Sequence, residues 1–265
     1  MSFTEEEFLK LKAEKERMDK ELRMASELQQ SMVPNGYFTK DNVEVFGKLT
    51  PAREMGGDLY DYAIRDGKLY FCIGDVCGKG APAAMLMAYA HAHLVELTLQ
   101  GGDPASIVDT LNKLASYDNV SCTFFTLFYG MLDVQTGRLQ YCNAGHNPPY
   151  LLTDEVKMLD CDPNQAVGPM EDAEFSLQET TLSPGTTLFL YTDGLTEAKI
   201  SEEEELGAER AEQVLKECIE RQLNPQEIVN TVIEAVHRIT RNAPQSDDLT
   251  MLAIRFAPST RGCKA

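Results

Sequence analysis

The sequence predicts an α+β fold in which two antiparallel β-sheets pack together, with helices outside them and a further helix in front. Apolar, strand-like segments follow one another as long hairpins, as at 59–64 and 68–73 around the turn at 65–67. Two pairs of helical segments separate the hairpins, and the strand–helix alternation that builds a parallel sheet is not apparent. At 265 residues, the chain is long enough for a sizeable core.

Periodicity and turn residues predict the individual elements. Residues 4–32 contain no Gly or Pro and are dense in charge, which indicates a helix that ends at 34–36. Strands are predicted at 43–50, 59–64, 68–73, 123–132, 138–142, 150–152, 186–192 and 249–256. Helices are predicted at 81–99, 104–117, 206–221 and 225–240. The expected divisions are an N-terminal helical segment (1–34), a domain (42–257) and a loose tail (258–265).

A narrow apolar stripe runs along the N-terminal helix. Positions spaced by three and four residues are Phe8, Leu11, Lys15, Met18, Leu22, Ala25, Gln29 and Met32, of which six in eight are apolar. This spacing suits a helix that pairs with another helix, and the polar Lys15 and Gln29 would set its register. An amphipathic helix lying on its own domain would carry the same stripe, so the sequence leaves both alternatives open.

Charge and composition exclude several function classes. The chain has 24 Lys and Arg residues against 42 Asp and Glu, a net charge of −18, with 43% hydrophobic and 25% charged residues. These proportions are those of a globular protein and rule out wholesale disorder. The negative charge argues against a nucleic-acid binder, which needs a basic face, and against binding to an anionic membrane. It allows a carboxylate-rich metal site.

Cysteine usage and the apolar segments predict a soluble, cytoplasmic protein. The seven cysteines form no CxxC pair, and their odd number does not indicate a disulfide framework, so reduced thiols are expected. Residues 1–10 carry acids and no apolar run, so no signal peptide is expected. The longest uncharged stretch, 80–95, is too short to span a bilayer.

Four aspartates share one local context, the edge of a strand beside a glycine or a turn. They are Asp58, Asp75, Asp193 and Asp247. A carboxylate at such a place commonly forms a turn or caps a helix, and this is the better explanation for any one of them. It is much weaker for all four, because strand ends present side chains rigidly and neighbouring glycines let a ligand approach the backbone.

Clustered carboxylates predict a metal site, because they repel one another unless a cation lies between them. Mg²⁺ and Mn²⁺ take oxygen ligands. The four histidines are scattered and form no HExxH motif, which favours oxygen over imidazole ligation. Two such ions about 3.5–4 Å apart share a carboxylate and a hydroxide that attacks phosphorus in line. The pattern favours a Mg²⁺- or Mn²⁺-dependent hydrolase.

Five short segments surround these aspartates. They are 51–61 (PAREMGGDLYD), 74–80 (GDVCGKG), 143–149 (NAGHNPP), 191–197 (YTDGLTE) and 247–250 (DDLT). In order and spacing they resemble the metal-dependent serine/threonine phosphatases of the PPM family, in the bacterial branch of the stress and sporulation regulators RsbU and SpoIIE. The preceding segment, 28–34 (LQQSMVP), resembles the helix that leads into this domain.

The resemblance implies an α/β/β/α sandwich with a two-metal site at one end of the sheets. The ligands it implies are Asp75 bridging both ions, Asp58 on one ion, Asp193 and Asp247 on the other, and the carbonyl of Val76. Asp247 matches the ligand position, although Asp248 adjoins it. Water between the two Mn²⁺ or Mg²⁺ ions is expected to hydrolyse a phosphoserine or phosphothreonine without a phosphoenzyme.

Three further residues each have two possible interpretations. Arg53 lies where many PPM relatives place a phosphate-binding arginine, and a surface arginine paired with Glu54 or another acid is an equal alternative. Cys77 stands where animal relatives carry a histidine thought to protonate the leaving group, and a tolerated small residue is the favoured interpretation. His146 is expected to stabilise its turn rather than to contact substrate.

The sequence predicts a protein phosphatase that acts on a small regulatory protein. The resemblance implies a STAS-type anti-sigma-factor antagonist as substrate, and so a role in sigma-factor regulation; nucleic acid and membrane are not expected partners. The N-terminal helix is expected to form a homodimer or to dock an activating partner, and to adjust the helices after Gly80. One alternative is a phosphatase fold that has lost activity and binds a regulatory partner. Another is a hydrolase of small phosphates or nucleotides.

Overall fold

The computed structural model describes residues 4–117, 119, 122–241 and 243–257 of the chain. The predicted fold class is confirmed, because two antiparallel sheets pack against each other and helices pack on their outer faces. The predicted tail, 258–265, lies outside the described residues. Within the described part of the chain, no helix is long and apolar enough to cross a membrane.

The elements have the following bounds. The helices are α1 (Glu5–Met32), α2 (Ala81–Gln100), α3 (Pro104–Ser116), α4 (Gly207–Glu220) and α5 (Pro225–Ile239). The first sheet contains, in spatial order, β1 (Phe38–Lys40), β2 (Val43–Thr50), β11 (Leu249–Phe256), β10 (Thr187–Tyr191), β7 (Tyr150–Leu152) and β8 (Val156–Met158). The second sheet contains β3 (Leu59–Arg65), β4 (Lys68–Val76), β5 (Phe125–Asp133), β6 (Arg138–Ala144) and β9 (Gln178–Thr181).

Strand β4 is longer than the sequence predicts. Its ladder with β5 continues through the pairs Asp75–Thr126 and Val76–Phe125, so Asp75 lies inside a strand and not after one. The sequence does not predict β1, β8 or β9. These strands have three or four residues, mostly exposed or half-buried, and therefore lack the apolar alternation of a strand that covers a core.

The central strands of the first sheet are buried on both faces. In β10, Leu188 and Leu190 pack with residues of the second sheet, whereas Phe189 and Tyr191 pack with α4 and α5. This alternation follows from the two-residue period of a strand. Both apolar layers hold the strands firmly, so that the residues at their ends have fixed positions.

Helix α1 contacts the domain through its C-terminal part. Residues 5–21 are exposed on every side, and Phe8, Leu11 and Met18 of the apolar stripe are 63%, 51% and 59% exposed. The first half of the stripe therefore does not lie on its own domain. Gln29, which the sequence places in the stripe as a polar interruption, is buried instead.

Candidate functional site

The four aspartates singled out in the sequence come from both sheets and meet at one end of the sandwich. Asp58 directly precedes β3 and Asp75 lies near the end of β4, both in the second sheet. Asp193 follows β10 and Asp247 precedes β11, both in the first sheet. Asp75 interacts electrostatically with the other three carboxylates, so the acids of the two sheets face one another.

Asp58 is buried and is held by the opposite sheet. Its burial, followed by the proximity of Asp75, raises the pKa of its carboxyl well above the usual value. Thr192, which follows β10 of the first sheet, donates a hydrogen bond of 2.8 Å from Oγ1 to Asp58 Oδ2. The bond connects the two sheets directly at the acidic cluster.

Asp75 and Asp193 also have raised pKa values. Burial and then the charges of Asp193 and Asp247 raise the pKa of Asp75 to about 7. Burial, followed by Glu197 and Asp247, raises the pKa of Asp193 to about 6. These directions mean that the described residues do not fully compensate the negative charge gathered between the sheets.

Asp247 pairs with Lys79, from the loop between β4 and α2. Lys79 Nζ lies 2.7 Å from Asp247 Oδ2 and donates a hydrogen bond of 2.6 Å to the carbonyl of Ser246. The charge of Lys79 also acts to lower the pKa of Asp193, but burial outweighs it. The ammonium group thus ties the loop after Asp75 to the loop before β11.

Asp248 makes different contacts from its neighbour Asp247. Its Oδ1 accepts from the backbone N–H of Ala52 at 2.8 Å, and its Oδ2 accepts from that of Gly57 at 2.7 Å and of Asp58 at 3.4 Å. A Cβ on Gly56 would lie 2.1 Å from Asp248 Oδ2, so this close packing requires glycine. Asp248 therefore anchors the loop that carries Asp58, whereas Asp247 takes no part in these backbone hydrogen bonds and pairs with Lys79.

The carbonyl of Val76 lies close to the turn that precedes Asp58. A Cβ on Gly57 would lie 2.9 Å from this carbonyl oxygen. Any side chain at position 57 would therefore cover the carbonyl that the resemblance assigns as a metal ligand.

Arg53 and Cys77 are exposed beside these acids. Among the described residues, Arg53 has no hydrogen-bond or ion-pair partner, so the expected alternative of pairing with Glu54 is not found. Its Nη1 would lie 4.0 Å from a Cβ on Gly80, which places the guanidinium beside the loop after Asp75. The thiol of Cys77 is free.

Gln29 of α1 contacts the same loop as Asp248. Its Nε2 donates 2.7 Å to the carbonyl of Gly56, and its Oε1 accepts from the N–H of Gly56 at 3.2 Å. The sequence interpretation of Gln29 as a register-setting residue missed this contact. The signal available was a polar residue in an apolar stripe, which does not identify its partner.

The sequence predicts that His146 stabilises its turn, and only the backbone of His146 does so. The turn is closed by Asn143, whose Oδ1 accepts from the N–H of His146 at 2.8 Å. The imidazole ring is buried and reaches away from the turn, to Thr126 of β5 and to the carbonyl of Tyr191 of β10.

The donor set fits hydrated Mg²⁺ or Mn²⁺. The donors are carboxylates, and burial followed by the charges of neighbouring acids raises the pKa values of Asp75 and Asp193, which a divalent cation would offset. In the described ranges, no three His, Cys, Asp or Glu side chains lie close enough together to form a ready-made cage for one ion. Mg²⁺ retains several waters, so carboxylates that are not close enough to form a cage can still hold it together with water.

Residues 65–257 match the family model of Stage II sporulation protein E (SpoIIE). The chain belongs to the SpoIIE family. Asp75, Asp193 and Asp247 lie inside the matched segment, and Arg53 and Asp58 precede it. The family resemblance drawn from the five sequence segments is confirmed.

Three known proteins are similar to this SpoIIE-family chain. Protein IcfG of Synechocystis sp. is 29% identical over 263 residues, covering 88% of the chain and 41% of IcfG. Phosphoserine phosphatase RsbU of Bacillus subtilis is 24% identical over 239 residues, covering 89% of the chain and 70% of RsbU. The SiaA-PP2C domain of Pseudomonas aeruginosa has the same fold, with a TM-score of 0.77, 23% identity and coverage of 92% and 99% of the two chains. The chain thus spans less than half the length of IcfG.

Substitutions at the adjacent positions 247 and 248 distinguish the expected metal ligand, Asp247, from the loop anchor, Asp248. Asp248→Asn replaces an acceptor of three backbone N–H groups, and we expect the free energy of unfolding without metal to fall by about 1–3 kcal/mol. Asp247→Asn loses only a half-exposed ion pair, so stability should change little, whereas Mn²⁺-induced stabilisation should fall sharply. Urea unfolding followed by circular dichroism, with and without Mn²⁺, measures both. Loss of the Mn²⁺ effect in Asp248→Asn, with unchanged stability, would contradict the assignment.

The stability of the metal-free protein should fall as the pH rises from about 4 to 7. Because the pKa values of Asp75 and Asp193 are raised to about 7 and about 6, the folded state binds more protons than the unfolded state in this window. Asp75→Asn should flatten this dependence and stabilise the metal-free protein at pH 8 by about 1–2 kcal/mol. Urea unfolding across this pH range measures it, with the exposed Asp66→Asn as control. Equal pH slopes for wild type and Asp75→Asn would contradict the electrostatic description.

Proposed function

We propose that the chain is a Mn²⁺- or Mg²⁺-dependent protein serine/threonine phosphatase. The observation that carries the proposal is the meeting of four acids from two sheets, with raised pKa values at Asp58, Asp75 and Asp193, in a chain of the SpoIIE family. The relative RsbU is named a phosphoserine phosphatase, which supports the same reaction here.

The proposed ligands are those that the resemblance implies. Asp75 would be shared by two ions, Asp58 would hold one of them, Asp193 and Asp247 would hold the other, and the Val76 carbonyl would complete the set. When bound, two such ions supply an activated water for in-line attack on phosphorus and offset the charge of the phosphoryl group. The chain contributes the spacing of the carboxylates, which Asp248, Thr192 and Gln29 support through the contacts described above.

Arg53 is the proposed phosphate-binding residue. A guanidinium binds two phosphate oxygens at once, and Arg53 has no competing partner among the described residues. Cys77 follows Val76 directly, and its thiol is exposed and free. We assign no proton-transfer role to Cys77.

The proposed substrate is a phosphoserine or phosphothreonine of a small cytoplasmic regulatory protein, by resemblance a STAS-type anti-sigma-factor antagonist. The likeness over 89% of the chain to RsbU, which is named a phosphoserine phosphatase, supports phosphoserine as the target, whereas the STAS-type protein rests on the resemblance alone. The excess of 18 negative charges is unfavourable for nucleic acid and for anionic membranes as partners.

Helix α1 is the proposed regulatory segment, through a homodimer or an activating partner. Its residues 5–21 are exposed on every side and carry the apolar stripe that such a contact would bury. Its C-terminal part reaches the candidate site through Gln29, whose two hydrogen bonds fix Gly56 two residues before Asp58. A change in the position of α1 would thus be felt at Asp58 as well as at the helices after Gly80.

The reaction is tested by Mn²⁺-dependent release of phosphate from a phosphoserine protein. We expect release by wild type, and a loss of about 100-fold or more with chelator or in Asp193→Asn, because a metal ligand is removed. Asp66→Asn, on an exposed turn, is the control and should retain full activity. Faster hydrolysis of p-nitrophenyl phosphate or nucleotides than of the phosphoprotein would favour the small-phosphate hydrolase. Tight Mn²⁺ binding without release, even with α1 bound to a partner, would favour the binding module.

A further inference from the structure

The ring of His146 connects the two sheets. His146 lies in the loop after β6 and is 4% exposed. Its Nδ1 lies 2.8 Å from Thr126 Oγ1 in β5 of the second sheet, and its Nε2 lies 3.1 Å from the carbonyl oxygen of Tyr191 in β10 of the first sheet. One side chain therefore spans the gap between the sheets with two hydrogen bonds.

The chemistry of its partners fixes the protonation of the ring. A carbonyl oxygen only accepts, so Nε2 carries the hydrogen that is donated to Tyr191. Burial lowers the pKa of His146 to about 4, so the ring is neutral near pH 7 and Nδ1 accepts the hydroxyl hydrogen of Thr126. Both ring nitrogens are satisfied, and no proton is available for exchange with a substrate.

The backbone holds this ring in one place. Asn143 accepts from the N–H of His146 and donates from Nδ2 to its carbonyl at 2.9 Å. Asn164 donates to the carbonyl of Asn143 at 3.0 Å. Gly145 has a φ of +70°, a conformation that favours glycine. The loop therefore holds the imidazole ring in a fixed position.

Both ends of the bridge lie beside proposed metal ligands. Thr126 is directly opposite Asp75 in the β4–β5 ladder, so their side chains lie on the same face of the second sheet. Tyr191 is two residues before Asp193 in the first sheet. The ring therefore fixes the distance between Thr126 and Tyr191. This distance in turn affects the separation of the Asp75 and Asp193 carboxylates, which are proposed to bind the same metal ion.

We propose that His146 is a positioning residue for the phosphatase reaction: its ring sets the separation of the two sheets where Asp75 and Asp193 meet, and thereby the affinity of the site for divalent ions. The inference rests on the proposed function. His146 does not contact substrate in this role. Residues that hydrogen-bond a metal ligand directly change metal affinity by roughly 10–100-fold, and His146 is one residue further from the ligands, so its effect is expected at the lower end of this range.

The test is a Mn²⁺ titration of the full chain, in which electron paramagnetic resonance measures the free ion. We expect His146→Leu to bind Mn²⁺ roughly tenfold more weakly than wild type. His146→Gln should recover most of this loss, because its amide can still donate to the carbonyl of Tyr191. Thr126→Val should weaken binding about threefold to tenfold, and should add little to His146→Leu because both remove one bridge.

The matched control is Asn112→Leu. Asn112 is fully buried and its side chain bonds Met170 and Gly168, so this variant also loses buried hydrogen bonds, but none of them joins the two sheets. It should lose stability and bind Mn²⁺ like wild type. Circular dichroism checks that each variant is folded, and Thr126→Val and His146→Gln provide the test if His146→Leu does not fold.

Different results would contradict the proposed phosphatase function and the positioning role of His146. If wild type binds no Mn²⁺, the proposed function fails and the positioning role fails with it. If wild type binds Mn²⁺ and the folded His146 and Thr126 variants bind it equally well, only the positioning role is overturned. Equal weakening in Asn112→Leu would also overturn it, because the effect would then reflect stability alone.

Discussion

The burial of mutually repelling carboxylates from two different sheets at one place is the constraint that the contacts around the candidate site accommodate. Asp58 and Asp75 come from one sheet, Asp193 and Asp247 from the other, and their charges meet at one end of the sandwich. Burial alone makes such an arrangement unfavourable, because ionised groups lose hydration there. A cation bound between the sheets would remove the penalty, and its binding would then depend on the way in which the sheets pack.

The hydrogen bonds around the cluster oppose this repulsion from outside. Asp248 holds the loop before β3 through backbone N–H groups, and Gln29 holds the same loop from α1. Thr192 and His146 connect the sheets close to the acids. Each of these bonds is of ordinary strength, and together they restrict how far the loops and strand ends that carry the carboxylates can move apart.

The aspartates and the fold class are predictable because their signals are local. The pattern of apolar residues within a few positions predicts a strand, and the motifs around Asp75 and Asp193 are contiguous in sequence. The supporting contacts are different, because they join distant parts of the chain. Asp248 lies 191 positions from Gly57, and His146 lies 45 positions from Tyr191. Local patterns do not specify such pairings.

Burial also decides what a polar residue does, and a sequence does not state burial. Gln29 has the spacing of a residue in a helix-pairing stripe, yet the fold buries it against Gly56. Two adjacent aspartates are equivalent in the sequence DDLT, and only the direction of each side chain separates the anchor Asp248 from Asp247 beside Lys79. The short strands β1, β8 and β9 cover little core and so carry no apolar pattern.

The central claim is that divalent cations join the two sheets at this acidic end. Anomalous diffraction at the manganese edge, from crystals of the full chain grown with Mn²⁺, tests it most directly. Two peaks between the sheets, one shared by Asp75 with Asp58 and the other by Asp75 with Asp193 and Asp247, are the predicted result. Crystals in which Mn²⁺ binds elsewhere, while the space between these four aspartates holds only water, would contradict the claim.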